Sequence, residues 1–214
     1  MLKAVLFDFD GTLGDTLPLC IAGFRRAIEP LAGRSISDAE IIATFGPSEE
    51  GTIRALAPHA YERGVADYLK FYRELHDMCP APFPGVPELL AFLRARGVIA
   101  ALVTGKGKRS CDISLEHYGI ASLLDAVETG SPEGPCKPER IKAVLRRFSL
   151  KPEEALYVGD TPGDVEAAHS AGVPAAAAAW AGTADPDALR AARPEHLFFS
   201  IPEFRLFLAD TLLK

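Results

Sequence analysis

Two aspartates, Asp8 and Asp10, lie one residue apart, directly after a short apolar segment near the start of the chain. The segment 4–7 has the composition of a β-strand, in which side chains two residues apart point to the same side. Two carboxylates about 4 Å apart repel each other by roughly 4 kcal/mol at an effective dielectric constant of about 20. Folded proteins retain such a pair where a cation or a proton compensates it, as in catalytic sites. A solvated acidic turn at the end of a strand is the alternative, and these residues alone leave it open.

Further polar residues follow other apolar segments of the chain. Thr104 follows one predicted strand, Asp160 and Asp164 follow another, and Lys137 begins the helix before the second of these strands. Because ligands bind at the carboxyl ends of the strands in open α/β sheets, we expect these side chains to meet the first two aspartates. Four carboxylates with one lysine require a hard cation, and carboxylate oxygens suit Mg²⁺. The hydroxyl and the ammonium group can hold phosphate oxygens, so the sequence predicts a site for a metal-bound phosphoryl group beside a carboxylate nucleophile.

Helices and strands alternate after residue 84. Strands are predicted at 98–103, 125–128, 155–158, 174–179 and 196–199, and helices at 88–96, 107–118, 138–148, 162–171 and 202–213. The stretch 185–192 is interpreted as a polar connection. Continuous apolar strands that alternate with helices are typical of a parallel sheet covered on both faces. With right-handed crossovers, the prediction is an α/β fold with a doubly wound parallel sheet.

The region between the first strand and residue 84 shows only the pattern of helices, and no strand pattern interrupts it. Its apolar residues recur at the spacing of a helix, and glycine and proline residues divide it into about four helices. We therefore predict a Rossmann-like catalytic core formed by 1–14 and 84–214. The all-helical domain 15–83 is inserted into this core and has a small core of its own.

Substrate choice is expected to reside in the inserted domain, because a domain that closes over a site also contacts the substrate. The candidates are Asp15 at the hinge, Gly46 and Pro47 in the turn before a predicted helix, and Arg54, which can pair with a substrate anion. Charged side chains on a helix face usually point to solvent, and that alternative stays open for Arg54.

The composition is that of a globular protein with an ample core, since 48% of the 214 residues are hydrophobic and 24% are charged. A formal net charge of −6 argues against general binding to nucleic acids or to anionic membranes. No apolar run is long enough to span a bilayer. The four cysteines are scattered, which favours reduced thiols in the cytoplasm over a zinc site or disulfides. Whether the protein is a monomer or a homodimer stays open.

Four short motifs follow one another in the chain: DFDGTL at 8–13, VTG at 103–105, KP at 137–138 and GDTPGD at 159–164. In this combination the chain resembles the haloacid dehalogenase superfamily of phosphohydrolases. It is most similar to the phosphoglycolate phosphatase-like branch, which has a helical cap inserted after the first motif. The resemblance covers essentially the whole chain and implies that the inserted domain is this cap.

The resemblance implies a role for each carboxylate. Asp8 would attack phosphorus and form an aspartyl-phosphate, and Asp10 would protonate the leaving oxygen and then deprotonate the hydrolytic water. Mg²⁺ would bind the Asp8 carboxylate, the backbone carbonyl of Asp10, and Asp160, with Asp164 in support. Dehalogenases of the superfamily lack the second aspartate, because a halide leaves without a proton whereas an alcohol does not.

The resemblance also implies that Thr104 and Lys137 hold the phosphoryl oxygens. Further substrate-binding candidates near them are Gly11, Thr12, Gly105 and Lys106. The basic run 105–109 is interpreted as a flexible loop that lines the rim of the site, and it departs from the commoner Thr-Asn-Lys form of the second motif.

The resulting prediction is a Mg²⁺-dependent phosphatase that hydrolyses a small phosphorylated metabolite, a phosphoglycolate-like phosphomonoester. One alternative is a sugar-phosphate mutase of the same fold, in which the phosphoryl group returns to another hydroxyl instead of to water. The other is a catalytically idle homologue that binds or regulates, whose signature would be a missing catalytic residue. No catalytic residue of the four motifs is missing.

Overall fold

The computed structural model describes residues 1–212, which contain six β-strands and ten α-helices. The strands are β1 (Ala4–Phe7), β2 (Ile99–Val103), β3 (Ala126–Glu128), β4 (Ala155–Gly159), β5 (Ala175–Ala178) and β6 (His196–Phe198). The helices are α1 (Leu17–Ala32), α2 (Asp38–Ile42), α3 (Glu49–Leu56), α4 (Tyr61–Glu74), α5 (Val86–Ala95), α6 (Lys108–Tyr118), α7 (Lys137–Arg147), α8 (Pro162–Ser170), α9 (Pro186–Ala191) and α10 (Ile201–Leu212). The predicted strands are all present, and their ends differ from the predicted ones by at most one residue. The last predicted helix extends to residue 213, which lies outside the described residues.

The six strands form one sheet in the order β3-β2-β1-β4-β5-β6, and every neighbouring pair is parallel. β1 therefore lies at the centre, with the chain continuing to β2 on one side and to β4 on the other. The backbone N–H of Asp8 donates to the carbonyl of Val158 at 2.8 Å, so the pairing of β1 and β4 extends to the first aspartate. The predicted doubly wound parallel sheet is confirmed.

Successive residues of β1 pack against opposite layers of helices. Val5 and Phe7 belong to a buried cluster that includes residues of α5, α6 and α10. Ala4 and Leu6 belong to a second cluster that includes residues of α7 and α8. All four side chains are fully buried, because a central parallel strand has no solvent-facing side. This burial holds the residues after β1 firmly in place.

Helices α1 to α4 form the helical cap, inserted between β1 and α5. The cap has a buried cluster of its own, in which the rings of Phe24 and Tyr68 stack with centroids 4.4 Å apart, and Ile113 of α6 completes this cluster from the core side. At the base of the cap, the backbone N–H of Phe83 donates to the carbonyl of Leu13 at 2.9 Å, so both ends of the insertion lie side by side. We propose on this basis that the cap comprises residues 15–83 and the catalytic core 1–14 and 84–214.

The stretch predicted to be a polar connection contains helix α9. Asp185 caps this helix, because its carboxylate accepts hydrogen bonds from the backbone N–H groups of Asp187 and Ala188. An aspartate followed by a proline is a helix-start signal that the low apolar content of the stretch obscures. Among residues 1–212, no helix has the length and apolar character needed to cross a bilayer.

Candidate active site

A cavity of about 670 Å³ lies between the carboxyl edge of the sheet and the helical cap. The predicted site residues that line it are Asp8, Asp10, Gly11, Gly46, Pro47, Thr104, Gly105, Lys106, Lys137 and Asp160. Motifs that are far apart in the sequence therefore meet in one space, together with a turn of the cap. The volume is typical of a small-molecule site.

One end of the cavity is acidic. Asp8 follows β1, Asp160 follows β4, and Asp164 lies in the first turn of α8, and oxygens of these carboxylates lie within 4.8 Å of one another. The Nζ atom of Lys137 lies 2.9 Å from Oδ2 of Asp8 and is also paired with Oδ1 of Asp164. We call these four residues the acidic end of the cavity.

The carboxylates of the acidic end outnumber its lysine, and their pKa values reflect this excess. Burial raises the pKa of Asp8 to about 6, although the charge of Lys137 opposes the change. Burial, together with the charges of Asp164 and Asp8, raises the pKa of Asp160 to about 8. Burial would raise the pKa of Asp164, but the charge and hydrogen bond of Lys137, together with the hydrogen bonds from Thr161, lower it. The acidic end therefore has the oxygen ligands and the uncompensated negative charge that suit a bound Mg²⁺ ion.

Several polar groups hold the carboxylates of the acidic end from behind. Oδ2 of Asp164 accepts hydrogen bonds from the backbone and the hydroxyl of Thr161, which caps α8. The Tyr157 hydroxyl, whose nearest acceptor is the carbonyl of Val103 at 2.9 Å, also lies 3.2 Å from Oδ1 of Asp164. The hydroxyl of Thr12 donates to Asp160 at 3.3 Å. Thr12 is fully buried and is not among the residues that line the cavity, and its contact with substrate stays a prediction.

Thr104 lies at the end of β2 and lines the cavity with 2% of its surface exposed. Its hydroxyl oxygen accepts a hydrogen bond from the backbone N–H of Lys106 at 3.3 Å. The hydroxyl proton is therefore available for an oxygen in the cavity, which agrees with the chemistry predicted for this residue.

The other end of the cavity faces the cap and is built around Asp10. The Nζ atom of Lys106 lies 3.0 Å from Oδ1 of Asp10, and the Thr16 hydroxyl donates to the same oxygen. The Cys20 thiol lies 3.7 Å from it. Burial, and next the charge of Asp10, raise the pKa of this thiol to about 12, so it stays protonated.

The prediction that 105–109 is a flexible loop is wrong for Lys106, which is buried. Only 3% of its side chain is exposed, and its Nζ atom lies 4.7 Å from the centre of the Tyr72 ring. Burial alone would lower the pKa of Lys106, but the adjacent Asp10 carboxylate keeps it well above its ordinary value. The ion pair with Asp10 therefore keeps Lys106 in the interior, although a lysine in a basic run is expected to be exposed to solvent.

Glu49, the first residue of α3, joins the cap to the core. Its Oε2 atom accepts a hydrogen bond from the backbone N–H of Gly107 at 2.7 Å, and one residue earlier the N–H of Ser48 donates to the carbonyl of Ser131 at 2.8 Å. Glu49 is 6% exposed and lines the cavity, and its Oε1 atom has no hydrogen-bond partner among residues 1–212. Burial raises the pKa of Glu49, and the charge of Lys106 opposes this. We call Asp10, Lys106, Cys20 and Glu49 the cap end of the cavity.

Two of the predicted specificity residues lie away from the cavity. Asp15 is exposed to solvent. The guanidinium of Arg54 lies 3.3 Å from a carboxylate oxygen of Glu133 and above the ring of Tyr61 at 5.3 Å. Glu133 and Tyr61 therefore hold Arg54, which is not among the residues that line the cavity, and no sequence pattern indicates Glu133 because 79 residues separate it from Arg54.

Sequence reasoning missed other residues that shape the site. These are Thr16, Cys20, Tyr72, Tyr157 and Thr161, which contact Asp10, Lys106 or Asp164. Thr161 had a readable signal, since a threonine three residues before an aspartate can form a capping box. Thr16 precedes the first residue of α1, and the other three lie in helices or in a strand, where nothing in their spacing distinguishes them from core residues.

Comparison with known proteins agrees with this geometry. The family model described as haloacid dehalogenase-like hydrolase matches residues 5–178. The chain is 33% identical over 201 residues to a phosphoglycolate phosphatase from Synechococcus elongatus, with 92% of each chain covered. It is also 29% identical to the pyrophosphatase PpaX from Bacillus cereus, with 84% of each chain covered.

Solved structures share the fold over almost the whole length. A haloacid dehalogenase-like family hydrolase from Streptococcus pneumoniae has a TM-score of 0.77 at 25% identity, covering 97% of this chain and 98% of the other. A predicted phosphoglycolate phosphatase from Haemophilus somnus has a TM-score of 0.76 at 24% identity, covering 98% of both. The chain belongs to the haloacid dehalogenase-like hydrolases, in their phosphoglycolate phosphatase-like branch, and is a phosphatase.

Proposed function

We propose that this protein hydrolyses a small phosphomonoester, similar in size to phosphoglycolate, through an aspartyl-phosphate on Asp8 and with Mg²⁺ as its cofactor. The observation that carries the proposal is the acidic end of the cavity. There a carboxylate that can act as nucleophile lies beside two further carboxylates and a lysine, and Asp8, Asp160 and Lys137 border a space that can hold a ligand.

The acidic end fits a Mg²⁺ ion. Its donors are carboxylate oxygens within 4.8 Å of one another, and Lys137 compensates only part of their charge. Asp8, Asp160 and Asp164, with the backbone carbonyl of Asp10, would hold the ion. When bound, Mg²⁺ neutralises these carboxylates and the phosphoryl oxygens, so that an anionic nucleophile can approach an anionic substrate.

The reaction would proceed in two displacements at phosphorus. A carboxylate oxygen of Asp8 forms a bond to phosphorus while the bond to the leaving alcohol oxygen breaks, and Asp10 gives that oxygen its proton. A water molecule then attacks phosphorus, Asp10 takes the proton of this water, and the bond between Asp8 and phosphorus breaks to release phosphate. The hydrogen bond from Thr16 and the ion pair with Lys106 orient the Asp10 carboxylate for both proton transfers.

The remaining motif residues would position the phosphoryl group. Thr104 can donate its hydroxyl proton and Lys137 can pair with a phosphoryl oxygen, and Gly11 and Gly105 border the same space. The cap covers this space, which excludes water other than the one that reacts.

The names of two relatives suggest the first substrates to test, phosphoglycolate and pyrophosphate. We further propose that the protein acts in the cytoplasm on a small metabolite, as a monomer or homodimer, without a nucleic-acid or membrane partner. The net charge of −6 and the four free thiols support this assignment.

The test is a panel of phosphomonoesters, assayed for phosphate release with Mg²⁺ by the wild type, by Asp8→Asn and after treatment with EDTA. We expect Asp8→Asn to lower kcat by about 10⁴-fold or more, because an amide oxygen is a poor nucleophile. EDTA should abolish release, and added Mg²⁺ should restore it. Asp187→Asn, which changes an exposed aspartate paired with Arg190, is the matched control and should retain full activity.

Phosphate release by Asp8→Asn at the wild-type rate would contradict the assignment of the nucleophile, and release that is unaffected by EDTA would contradict the metal. Interconversion of sugar-phosphate isomers without phosphate release would instead support the mutase alternative.

A further inference from the structure

We infer that the cap end of the cavity selects phosphomonoesters whose alcohol portion carries a hydroxyl or ammonium group, and that Glu49 rejects those that carry a carboxylate. This inference rests on the proposed function, because it concerns the part of the substrate that leaves. It defines the substrate class more narrowly than the names of the relatives suggest, and it predicts that phosphoglycolate is a poor substrate.

The first observation is the unpaired acceptor on Glu49. This side chain is more than nine-tenths buried, it borders the cavity, and one of its carboxylate oxygens has no hydrogen-bond partner in the described part of the chain. The Ser110 hydroxyl lies close enough to Glu49 to stabilise its carboxylate charge, but it donates to the carbonyl of Gly107 at 3.2 Å, and the free oxygen of Glu49 has no donor in the described part of the chain. A buried acceptor without a donor costs free energy, and a donor on a ligand removes that cost.

The carboxylate of Glu49 can turn toward a ligand without losing its hydrogen bond to Gly107 of the core. One of its oxygens accepts the hydrogen bond from Gly107 at 2.7 Å. The terminal torsion of a glutamate side chain is broad, so the other oxygen can turn toward the cavity while this bond is kept.

The second observation is the balance of charge in the cavity. In the described part of the chain, its cationic lining residues are Lys106 and Lys137, and each is already paired with an aspartate. Glu166 adds a further carboxylate to the lining. A substrate carboxylate at the cap end would therefore meet Glu49 without a free cation, whereas carboxylate recognition ordinarily uses an arginine or a lysine.

The arginines nearest to the cap end do not supply this cation. The guanidinium of Arg109 lies 3.7 Å from a carboxylate oxygen of Glu50, and 60% of the Arg109 side chain is exposed. Arg54 pairs with Glu133 at the surface. Neither arginine is among the residues that line the cavity, so the charge at the cap end that faces the leaving group is that of Glu49.

A structural role is the competing explanation, since Glu49 also bonds to Gly107 across the boundary between cap and core. The two roles differ in what they predict for a series of substrates. A residue that only holds the cap in place affects all substrates alike, whereas a residue that selects by charge changes their ranking.

The experiment compares kcat/KM for three two-carbon substrates that differ in the terminal group: 2-aminoethyl phosphate, 2-hydroxyethyl phosphate and phosphoglycolate. We expect the wild type to prefer the amino and hydroxyl compounds to phosphoglycolate by about tenfold or more, the scale of one charged hydrogen bond. Glu49→Gln keeps the shape and can accept from Gly107, but it removes the charge. It should lower the ratio of the amino compound to phosphoglycolate by about tenfold.

Glu50→Gln is the matched control, because it makes the same change one residue along α3 at a carboxylate that pairs with Arg109 outside the cavity lining. It should leave the substrate ranking unchanged. A wild type that prefers phosphoglycolate, or a Glu49→Gln variant that lowers all three values by the same factor, would overturn the inference.

Hydrolysis of p-nitrophenyl phosphate separates this inference from the proposed function. If the protein hydrolyses that compound with Mg²⁺ and through Asp8 but shows no preference against phosphoglycolate, the inference alone fails. If it hydrolyses no phosphomonoester, the proposed function fails and the inference with it.

Discussion

The two ends of the cavity are built in different ways. At the acidic end all four side chains come from the core, directly after two central strands or in the first turns of α7 and α8. At the cap end, Glu49 and Cys20 come from the cap, while Asp10 and Lys106 come from the core. Each end contains one lysine paired with an aspartate of the first motif, and Lys106 is buried whereas Lys137 is half-buried.

The difference lies in how each end meets its ligand. The acidic end is crowded with carboxylates that a metal ion and a phosphoryl group can join, and this requirement is the same for every phosphomonoester. The cap end has one unpaired acceptor beside aromatic rings such as those of Phe24 and Tyr68. We therefore propose that the reaction depends on the sheet edge, whereas substrate choice depends on how the cap meets it.

The largest expected effects on activity come from replacing Lys137 at the acidic end and Lys106 at the cap end. Lys137→Met should lower kcat/KM by about 10³-fold, because it removes a positive charge beside the transferred phosphoryl group. Lys106→Met should lower kcat by about tenfold to a hundredfold with less effect on KM, because this lysine contacts Asp10 instead of the phosphoryl group. Initial rates over a range of substrate concentrations give both parameters.

Inhibition by inorganic phosphate provides a readout independent of turnover. Lys137→Met should weaken it, and Lys106→Met should leave it nearly unchanged. Lys108→Met, at an exposed lysine paired with Asp112, is the control for losing a lysine from the same region. Equal weakening of phosphate inhibition by Lys137→Met and Lys106→Met would show that the two ends do not divide their roles in this way.

The acidic end was predictable from sequence because each of its residues follows a strand or begins a helix of a recognisable α/β pattern. The sheet then brings these positions to one edge, so Asp8, Asp160 and Lys137 meet whatever the details of packing. The same logic placed the ends of the strands to within one residue.

The cap end was less predictable because it depends on contacts between segments distant in sequence. Glu49 reaches Gly107 across 58 residues, and Lys106 reaches Asp10 across 96. Hydropathy assigned Lys106 to a flexible loop, although the charge of Asp10 holds it in the interior. Arg54 was a candidate for substrate binding on its charge alone, and its partner Glu133 comes from a loop that has no pattern of its own.

Glycine substitutions test whether the acidic end is more rigid than the cap end. Gly11 has a φ of +72°, and a Cβ atom there would overlap the Asp160 carboxylate. Gly11→Ala should lower the free energy of unfolding by about 3 kcal/mol, from the left-handed backbone and the collision together. At Gly107 a Cβ atom would lie 2.7 Å from Glu50 and 2.9 Å from Glu49, whose side-chain ends can move, so Gly107→Ala should cost about 1 kcal/mol.

Gly33→Ala separates the two causes at Gly11, because Gly33 has nearly the same φ, +67°, and no atom within 4 Å of the added Cβ. It should cost about 1 kcal/mol, the backbone part alone. Urea unfolding followed by circular dichroism measures all three variants. A loss at Gly107 equal to that at Gly11 would mean that the cap end is as rigid as the sheet edge.

The smallest expected effect concerns His76, which follows α4 and contacts α6 of the core. His76 is buried, its Nε2 atom lies 2.9 Å from the Ser114 hydroxyl, and its ring lies 4.1 Å from that of His117. Burial and next the charge of His117 lower the pKa of His76 below 6.5, and the more distant Lys106 acts in the same direction. Cys79, Tyr72 and Tyr118 complete its surroundings.

Because the folded protein binds this proton less readily than the unfolded chain does, the free energy of unfolding should fall as the pH drops below 6.5 and level off below the pKa of the folded state. In His76→Gln, which keeps a hydrogen-bonding group for Ser114, this part of the pH dependence should disappear. His59→Gln, at an exposed histidine of the cap, should retain it. Urea unfolding from neutral pH to about pH 5 spans the range in which an ordinary histidine titrates. If the free energy of unfolding of His76→Gln kept the same dependence on pH, His76 would not be the group that titrates. The contact between cap and core at this histidine would then be insensitive to protonation, and the two ends would differ only in the residues that line the cavity.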